Sequence, residues 1–317
     1  MTVRKKPRLK IDTNNKAYGI QDSVFFRLKS KKKLAEILGS TIGDLKTLSD
    51  DDNYNCYEDC SSGKPRLIEH PTGTLEIIHT RIASLLCRIQ QPDYMHSGIK
   101  GRSHLSNAKM HVGTVPVLAT DLKSFFQNTK AEAIFGFFYN VLECSPDVAS
   151  ILSGLCTCDQ HIPTGSRISM PLAFWANASM FNKLAALSES RGITMTVFVD
   201  DITFSGHKVT RQLKQRVREI INEHRHIMHP TKTRIYTSIE TKIITGVAVD
   251  TTGISVANRH HQSIYEDMEL WIAVRNAKEP IELKAQLKRR LLGKLNSQGQ
   301  IDSRFKDKAR TVKNYLK

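Results

Sequence analysis

Residues 193–206 read ITMTVFVDDITFSG, and the reading of this stretch decides the fold. ITMTVFVD (193–200) and ITFSG (202–206) are rich in β-branched and aromatic residues, the composition of half-buried strands. Between them Asp200-Asp201 breaks the apolar run with a residue type that favours turns. The stretch predicts a β-hairpin with two carboxylates at its tip. An Asp pair in a turn is, alone, ordinary turn chemistry, so a second acid has to give it meaning. TVPVLATDLKSFF (114–126) is apolar and β-branched up to Asp121, and Phe125-Phe126 follow. Two strands of one sheet can set Asp121 beside Asp200. Carboxylates that close repel each other, so such a pair calls for divalent cations. Mg²⁺ takes oxygen ligands, keeps waters, and is held by one or two carboxylates together with substrate phosphates. Two such ions can clamp the attacking and leaving oxygens at a phosphorus centre.

Outward from these acids the pattern alternates between helical and strand periods. Residues 1–33 read as an extended or disordered basic arm. Leu34, Ile37 and Leu38, then Ile42, Leu45 and Leu48, predict two short helices divided at Gly39 and restarted at Thr41. An acidic, Asn-rich turn is expected at 50–55, a strand at 64–71, and an amphipathic helix through Leu75, Ile78, Ile82 and Leu86. Helices are expected over 129–142, 169–189 and 209–227, and strands over 231–237, 242–250 and 254–256. From Arg259 onward the chain reads as basic and mostly helical. This order implies an α+β fold whose strands return to one antiparallel sheet.

The chain has 317 residues and a formal net charge of +16, distributed unevenly. Residues 1–33 carry 11 Lys/Arg against 2 Asp/Glu, and residues 258–317 carry 14 against 7. The 224 residues between are balanced at 22 and 22. A neutral body with two basic ends suits a polyanion partner, nucleic acid first, with a solvated basic tail as the bland alternative. No run is apolar enough to span a bilayer, and no apolar stretch follows the basic N-terminus as it would in a secretory signal. Six cysteines are too few for a disulfide scaffold, so a reducing cytoplasm and no membrane partner are expected.

Six segments, in order, resemble reverse transcriptases, and bacterial retron enzymes in particular. FVDD (198–201) resembles their Tyr-x-Asp-Asp motif, and ATDLKSFF (119–126) the palm Asp with an aromatic residue five positions on. IPTGSRISMPLA (162–173) is similar to Pro-Gln-Gly-x-x-x-Ser-Pro, and KPRLIEHPTGTLEIIHTRI (64–82) to the fingers segment. HSGIKGRSHLSNAKMH (96–111) resembles the Gly-Arg-Ser…Asn-Ala-x-x-His stretch of retron enzymes, and ITGVAV (244–249) the Val-Thr-Gly segment before the thumb. The resemblance covers residues 34–270. It implies a right-hand polymerase with fingers, an antiparallel-sheet palm and a helical thumb. The implied units are a basic N-terminal arm (1–33), a fingers-type region (34–113), the palm (114–250) and a basic thumb (251–317).

Carried over position by position, the resemblance makes Asp121, Asp200 and Asp201 catalytic. These three and the backbone carbonyl of Leu122 would hold two Mg²⁺ ions, with Mn²⁺ as an alternative. Lys64 and Arg66 would meet the incoming nucleotide triphosphate. Phe126 would exclude a 2′-hydroxyl, the alternative being core packing. Gly165 would let the backbone approach the template–nucleotide pair, and Lys232 would protonate the leaving pyrophosphate. Arg102, Asn107 and His111 would form an RNA-holding surface; the alternative is a helix N-terminus with a buried polar network. Lys288, Arg289 and Arg290 would grip RNA from the thumb, while Tyr265, Met268 and Trp271 pack on the palm. Phe198 stands for the usual Tyr, Thr164 for the usual Gln, and Met170-Pro171 shifts the Pro by one. His224, His226 and His229 do not share a helical face, and Cys156, Cys158 and His161 lack a second Cys pair, so neither set reads as a zinc site.

The implied function is a retron-type RNA-directed DNA polymerase. It would bind one dedicated structured non-coding RNA and copy part of it into DNA with dNTPs. Synthesis would start from a 2′-hydroxyl of that RNA and leave a branched RNA–DNA product (msDNA), in an antiphage system with an effector protein. The alternatives are a group II intron or diversity-generating reverse transcriptase, or a non-catalytic RNA-binding scaffold of the same fold.

Overall fold

The structure, a computed structural model, describes residues 9–60, 63, 65–275 and 277–314; Lys64 lies outside the described residues. The N-terminal segment departs from the extended arm expected of it. Tyr18 bridges to Ile89, and Phe25 and Leu28 are buried in the main core. Lys and Arg dominate the composition there, yet two large apolar side chains suffice to anchor a segment by leaving water. Helices α1 (Lys31–Leu38) and α2 (Ile42–Thr47) follow as the spacing predicts. Ser30 and Thr41 cap them by accepting from the Lys33 and Asp44 N–H groups, and Gly39 ends α1 in the left-handed region at φ 69°.

The turn expected at 50–55 ends at Asn53, and an unexpected strand β1 (Tyr54–Asp59) follows, antiparallel to β2 (Arg66–Pro71). The Asn, Asp and Cys of β1 carry little strand propensity, and pairing with β2 supplies what composition does not. Helix α3 (Gly73–Leu86) buries Leu75, Ile78, Ile82, Leu85 and Leu86. Short α4 (His104–Lys109) precedes β3 (Val117–Asp121). After a short α5 (Phe125–Asn128), the helix expected over 129–142 is α6 (Ala131–Gly136) running into a π-helical turn at Phe137–Val141. Helix α7 (Pro146–Leu155) starts with Pro in its first turn. The helix expected over 169–189 is two, α8 (Ser169–Ala176) and α9 (Ala178–Glu189). They part at Asn177, whose amide donates to Thr129 Oγ1 and the Ala173 carbonyl.

Strands β4 (Thr194–Phe198) and β5 (Asp201–Ser205) form the hairpin read from the sequence. Helix α10 (Arg211–Glu223) and β6 (Arg234–Tyr236) follow, and the sheet runs β4-β5-β3-β6, all antiparallel. The remaining strands do not join it. Residues 242–249 double back at Thr245-Gly246, with φ of 45° and 82°, into β7 (Lys242–Ile244) and β8 (Val247–Val249). With β9 (Ile254–Ser255) they make a separate three-stranded sheet. Helices α11 (Asn258–Arg275), α12 (Ile281–Gln298) and α13 (Ser303–Asn314) close the chain around a core of their own, centred on Trp271, Leu291 and Leu295. The fold is α+β with antiparallel sheets, as the sequence indicates. One hydrophobic core, from Phe25 to Met228, unites α1–α3 with the four-stranded sheet. Among the described residues no helix is long and apolar enough to cross a membrane.

Candidate active site

The two central strands carry the acids. Asp121 ends β3 directly opposite Asp201, the first residue of β5, and Asp201 in turn faces Phe198 on β4. Val199 and Asp200 are therefore the two-residue turn of the hairpin. Val199 has φ 60°, a conformation that β-branched residues rarely adopt. It is held by its N–H donating to Ser97 Oγ at 3.0 Å and by the Asp200 carbonyl accepting from the Leu122 N–H at 3.0 Å. Strain kept at a turn by bonds on both sides fixes where its neighbour's carboxylate points.

Burial and mutual repulsion shape the charges. Burial, then the charges of Asp200 and Asp121, pushes Asp201 up to about 7. Burial, then Asp121, also raises Asp200. Lys232 Nζ lies 2.7 Å from Asp121 Oδ2, and this hydrogen bond raises the Lys232 pKa. Arg66 acts against the raised pKa of Asp200, and Arg259 against that of Asp201. Asp121, Asp201, Lys232, Arg259, Tyr236 and Gly246 line one cleft of about 320 Å³. Arg259 is the member the sequence reading did not assign to the site, taking it as the start of the basic helical stretch. Only the turn at Thr245-Gly246 brings the start of α11 to the cleft; His260 Nε2 is 3.2 Å from the Gly246 carbonyl oxygen.

Among the described residues, no group of three His, Cys, Asp or Glu side chains is arranged to hold a metal ion by itself. Mg²⁺ does not demand one, since substrate phosphates and water complete its shell. The donors here are all oxygen, and burial and mutual repulsion make two of the carboxylates hold protons unusually tightly. That donor set fits hard divalent cations.

Other candidates sit differently. Phe125 is buried against Phe181 and His226, whereas Phe126 is half-buried beside it, ring centroids 5.7 Å apart. Gly165 does permit a close approach, but to protein. A Cβ there would lie 2.8 Å from the Glu69 carbonyl oxygen and from Ile68 Cγ2, so β2 is what requires the glycine. Thr164 binds the same strand, donating from Oγ1 to the Leu67 carbonyl at 2.6 Å. Phe198 packs against His104 with centroids 6.5 Å apart.

The proposed RNA surface around α4 is corrected. His111 is fully buried, with Nδ1 at 2.7 Å from Ser205 Oγ and Nε2 at 2.7 Å from Thr196 Oγ1. Asn107 is buried as well. The Arg102 guanidinium donates to the Asp93 and Met95 carbonyls at 2.6 and 2.7 Å and pairs with Asp93 Oδ1 at 3.1 Å. His111 braces β4 and β5 from behind while Arg102 ties down the Asp93–Met95 segment, so a buried polar role replaces the RNA surface for His111 and Asn107. The thumb is corrected too. Trp271 is buried among α11–α13 and not against the sheet, and Tyr265 is exposed. Arg290 and Lys294 clamp buried Asp267, at 2.6 and 2.7 Å. Lys288 Nζ donates to the Lys313 carbonyl at 3.0 Å, and Arg289 stays exposed.

No protein-family model matches the chain. Individual relatives do. It is 30% identical over 239 residues to the retron Mx65 reverse transcriptase of Myxococcus xanthus, covering 66% of this chain and 55% of that protein. It is 29% identical over 182 residues to the retron Se72 reverse transcriptase of Salmonella heidelberg, covering 54% and 47%. To the retron Ec48 reverse transcriptase of Escherichia coli it is 23% identical over 296 residues, covering 85% and 72%. The chain thus spans about half the length of the first two relatives. Among solved structures, telomerase from Candida albicans with a telomeric RNA fragment aligns with a TM-score of 0.47 at 10% identity, covering 83% of this chain and 59% of that one. A foamy viral protease–reverse transcriptase with double-stranded DNA aligns at 0.41 and 15% identity, covering 92% and 44%. Several retron reverse transcriptases therefore match this chain at 23–30% identity, and it is to that family that the sequence is similar over most of its length.

Proposed function

We propose that the chain is a retron-type reverse transcriptase that copies part of a structured non-coding RNA into DNA. The observation that carries this reading is the register that sets Asp121 opposite Asp201, with Asp200 in the adjoining turn. Asp121, Asp200 and Asp201, with the Leu122 carbonyl, would hold Mg²⁺. When bound, the ions would neutralise the three acids and stabilise charge on the phosphate oxygens. The chain's own groups do the rest. Arg66 and Lys232 bind the triphosphate, where a guanidinium fork matches phosphate geometry. Lys232 Nζ holds a proton beside Asp121 that the pyrophosphate oxygen can take. Phe126 lies under the sugar.

The relatives' kind supports the finer reading: priming from a 2′-hydroxyl of the bound RNA, a branched msDNA product, and a cytoplasmic antiphage role beside an effector protein. A non-catalytic RNA-binding scaffold is the competing reading. Primer extension by purified protein with Mg²⁺ and dNTPs separates them. Asp121→Asn and Asp200→Asn should each lower nucleotide incorporation by about 10³-fold or more, as expected when electrostatic stabilisation of the transition state is lost. RNA affinity and thermal midpoint should stay near wild type. Undiminished extension by either variant, or none by wild type on any primed RNA, would overturn the reading.

A further inference from the structure

Two segments distant in sequence meet in a square of four side chains. Cys56 is the ladder partner of Glu69, so both side chains leave the β1–β2 hairpin on one face. Cys158 and His161 form a matching pair in the loop after α7; the Cys158 N–H donates to the His161 carbonyl at 2.9 Å and the His161 N–H to the Cys158 carbonyl at 3.1 Å. Glu69 Oε1 and His161 Nε2, both nearly buried, stand 2.9 Å apart and join the two pairs. Cys56, across from Glu69 in the ladder, and Cys158, paired with His161, are the two remaining corners of the square. Cys56 is exposed and Cys158 is buried. An accessible thiol beside a buried one is the arrangement of an attacking and a resolving cysteine.

We propose that Cys56 and Cys158 form a thiol-modification site that low-molecular-weight disulfides oxidise to an intramolecular disulfide joining β1 to the loop after α7. The Cys56 thiolate attacks one sulfur of the small disulfide, whose S–S bond breaks and releases one small thiol. Cys158 passes its proton to the His161–Glu69 pair and attacks the Cys56 sulfur, releasing the second small thiol. Two protein thiols are oxidised and one small disulfide is reduced to two thiols; the two protons end on them. Burial, with the Glu69 charge beside it, pushes the Cys158 thiol up to about 12, so the exposed Cys56 is the thiol that reacts first.

The bond has a consequence because of what the loop carries. Its far end is stitched to β2: the Thr164 N–H donates to Glu69 Oε2 at 3.0 Å and the Gly165 N–H to the Glu69 carbonyl at 3.2 Å. A disulfide adds a covalent tie one ladder position away and holds the hairpin, with Arg66, fixed against the loop. This effect on catalysis rests on the polymerase reading; the formation of the bond does not.

The test treats the reduced full-length chain with oxidised glutathione and maps disulfides by mass spectrometry under non-reducing conditions. A Cys56–Cys158 linked peptide is expected, absent from Cys56→Ser and retained in Cys60→Ser. Oxidised wild type should extend primers about tenfold more slowly, in line with the cost of small misplacements in an active site, and recover with dithiothreitol. Cys56→Ser should be indifferent to the oxidant. Glutathione left on Cys56 as a stable adduct, or a Cys56–Cys60 peptide in place of the expected one, would overturn the site. A mapped bond with unchanged extension would overturn the lock. Because the mapping needs no activity, an inactive reduced wild type would count against the polymerase reading alone.

Discussion

Phe125 and Phe126 are neighbours in sequence with opposite surroundings. Phe125 is held by Phe181 and His226, while Phe126 keeps part of its ring uncovered next to the acids' strand. The fifth position after Asp121 is thus the one free to meet a ligand. Phe126→Val should raise ribonucleotide incorporation relative to deoxyribonucleotide by about tenfold, worth about 1.4 kcal/mol of discrimination. Matched single-nucleotide assays measure the ratio, and an unchanged ratio would return Phe126 to the core. At this scale the sequence is legible where chemistry demands a residue type: Asp121 and Asp201 meet as their strands predict, and Lys232, named by the resemblance, reaches Asp121 from the turn before β6. It is silent where backbone conformation decides. Nothing in Thr-Val-Phe-Val announces a valine at φ 60°, because the bonds that hold it come from Ser97 and Leu122, about a hundred and about eighty residues upstream. Gly165 is a glycine because β2 packs against it, a neighbour that the sequence could not place there.

Three buried histidines staple elements to one another. His79 on α3 lies 2.7 Å from Ser166 Oγ and 2.6 Å from the Leu155 carbonyl oxygen. His111, just past α4, bridges β4 and β5, and His226, past α10, reaches Asn177 Oδ1 at 2.7 Å, where α8 meets α9. Burial lowers all three, His79 and His226 to about 4 and His111 to about 3. A folded pKa below the unfolded 6.5 contributes stability that is complete above pH 6.5 and is lost as pH falls toward the folded value. Between pH 6.5 and 5 each histidine should withdraw about 2 kcal/mol, at about 1.36 kcal/mol per pH unit. Asp201 works in the opposite sense, since its raised pKa makes the fold firmer as pH falls from 7. A single substitution isolates one share. His111→Gln keeps a donor and an acceptor for Ser205 and Thr196 but cannot ionise. Its loss of urea stability from pH 7 to 5 should be about 2 kcal/mol smaller than that of wild type. An equal loss would show that His111 does not titrate. Elements with their own periodicity, such as α3 and the β4–β5 hairpin, were readable in advance. Elements made by a partner were not: β1 exists through β2, and the break between α8 and α9 through the Asn177 bonds.

Over the whole molecule, charge and core divide the work differently from what composition suggests. The basic C-terminal unit has its own apolar core, so its helices fold without resting Trp271 on the sheet. Its cations fall into two kinds. Arg290 and Lys294 hold the buried Asp267 carboxylate, which burial raises but their bonds lower to a net depression. Removing one partner of such a carboxylate leaves buried charge poorly matched and destabilises the helix bundle. Lys288 and Arg289 make only bonds to backbone carbonyls at the surface, and phosphates can replace those. Each phosphate contact releases counterions, so each one lost should flatten the slope of log K against log salt by about 0.7–0.9. Lys288→Ala with Arg289→Ala should therefore weaken binding of the structured RNA and reduce its salt slope, with the thermal midpoint unchanged. Arg290→Ala should do the reverse, lowering the midpoint at modest cost to the slope. Salt titrations of RNA affinity together with melting curves for the two variants decide it. If the double variant kept the wild-type slope, these two cations would be a solvated face, and the polyanion would have to be met by the cleft and the N-terminal segment instead.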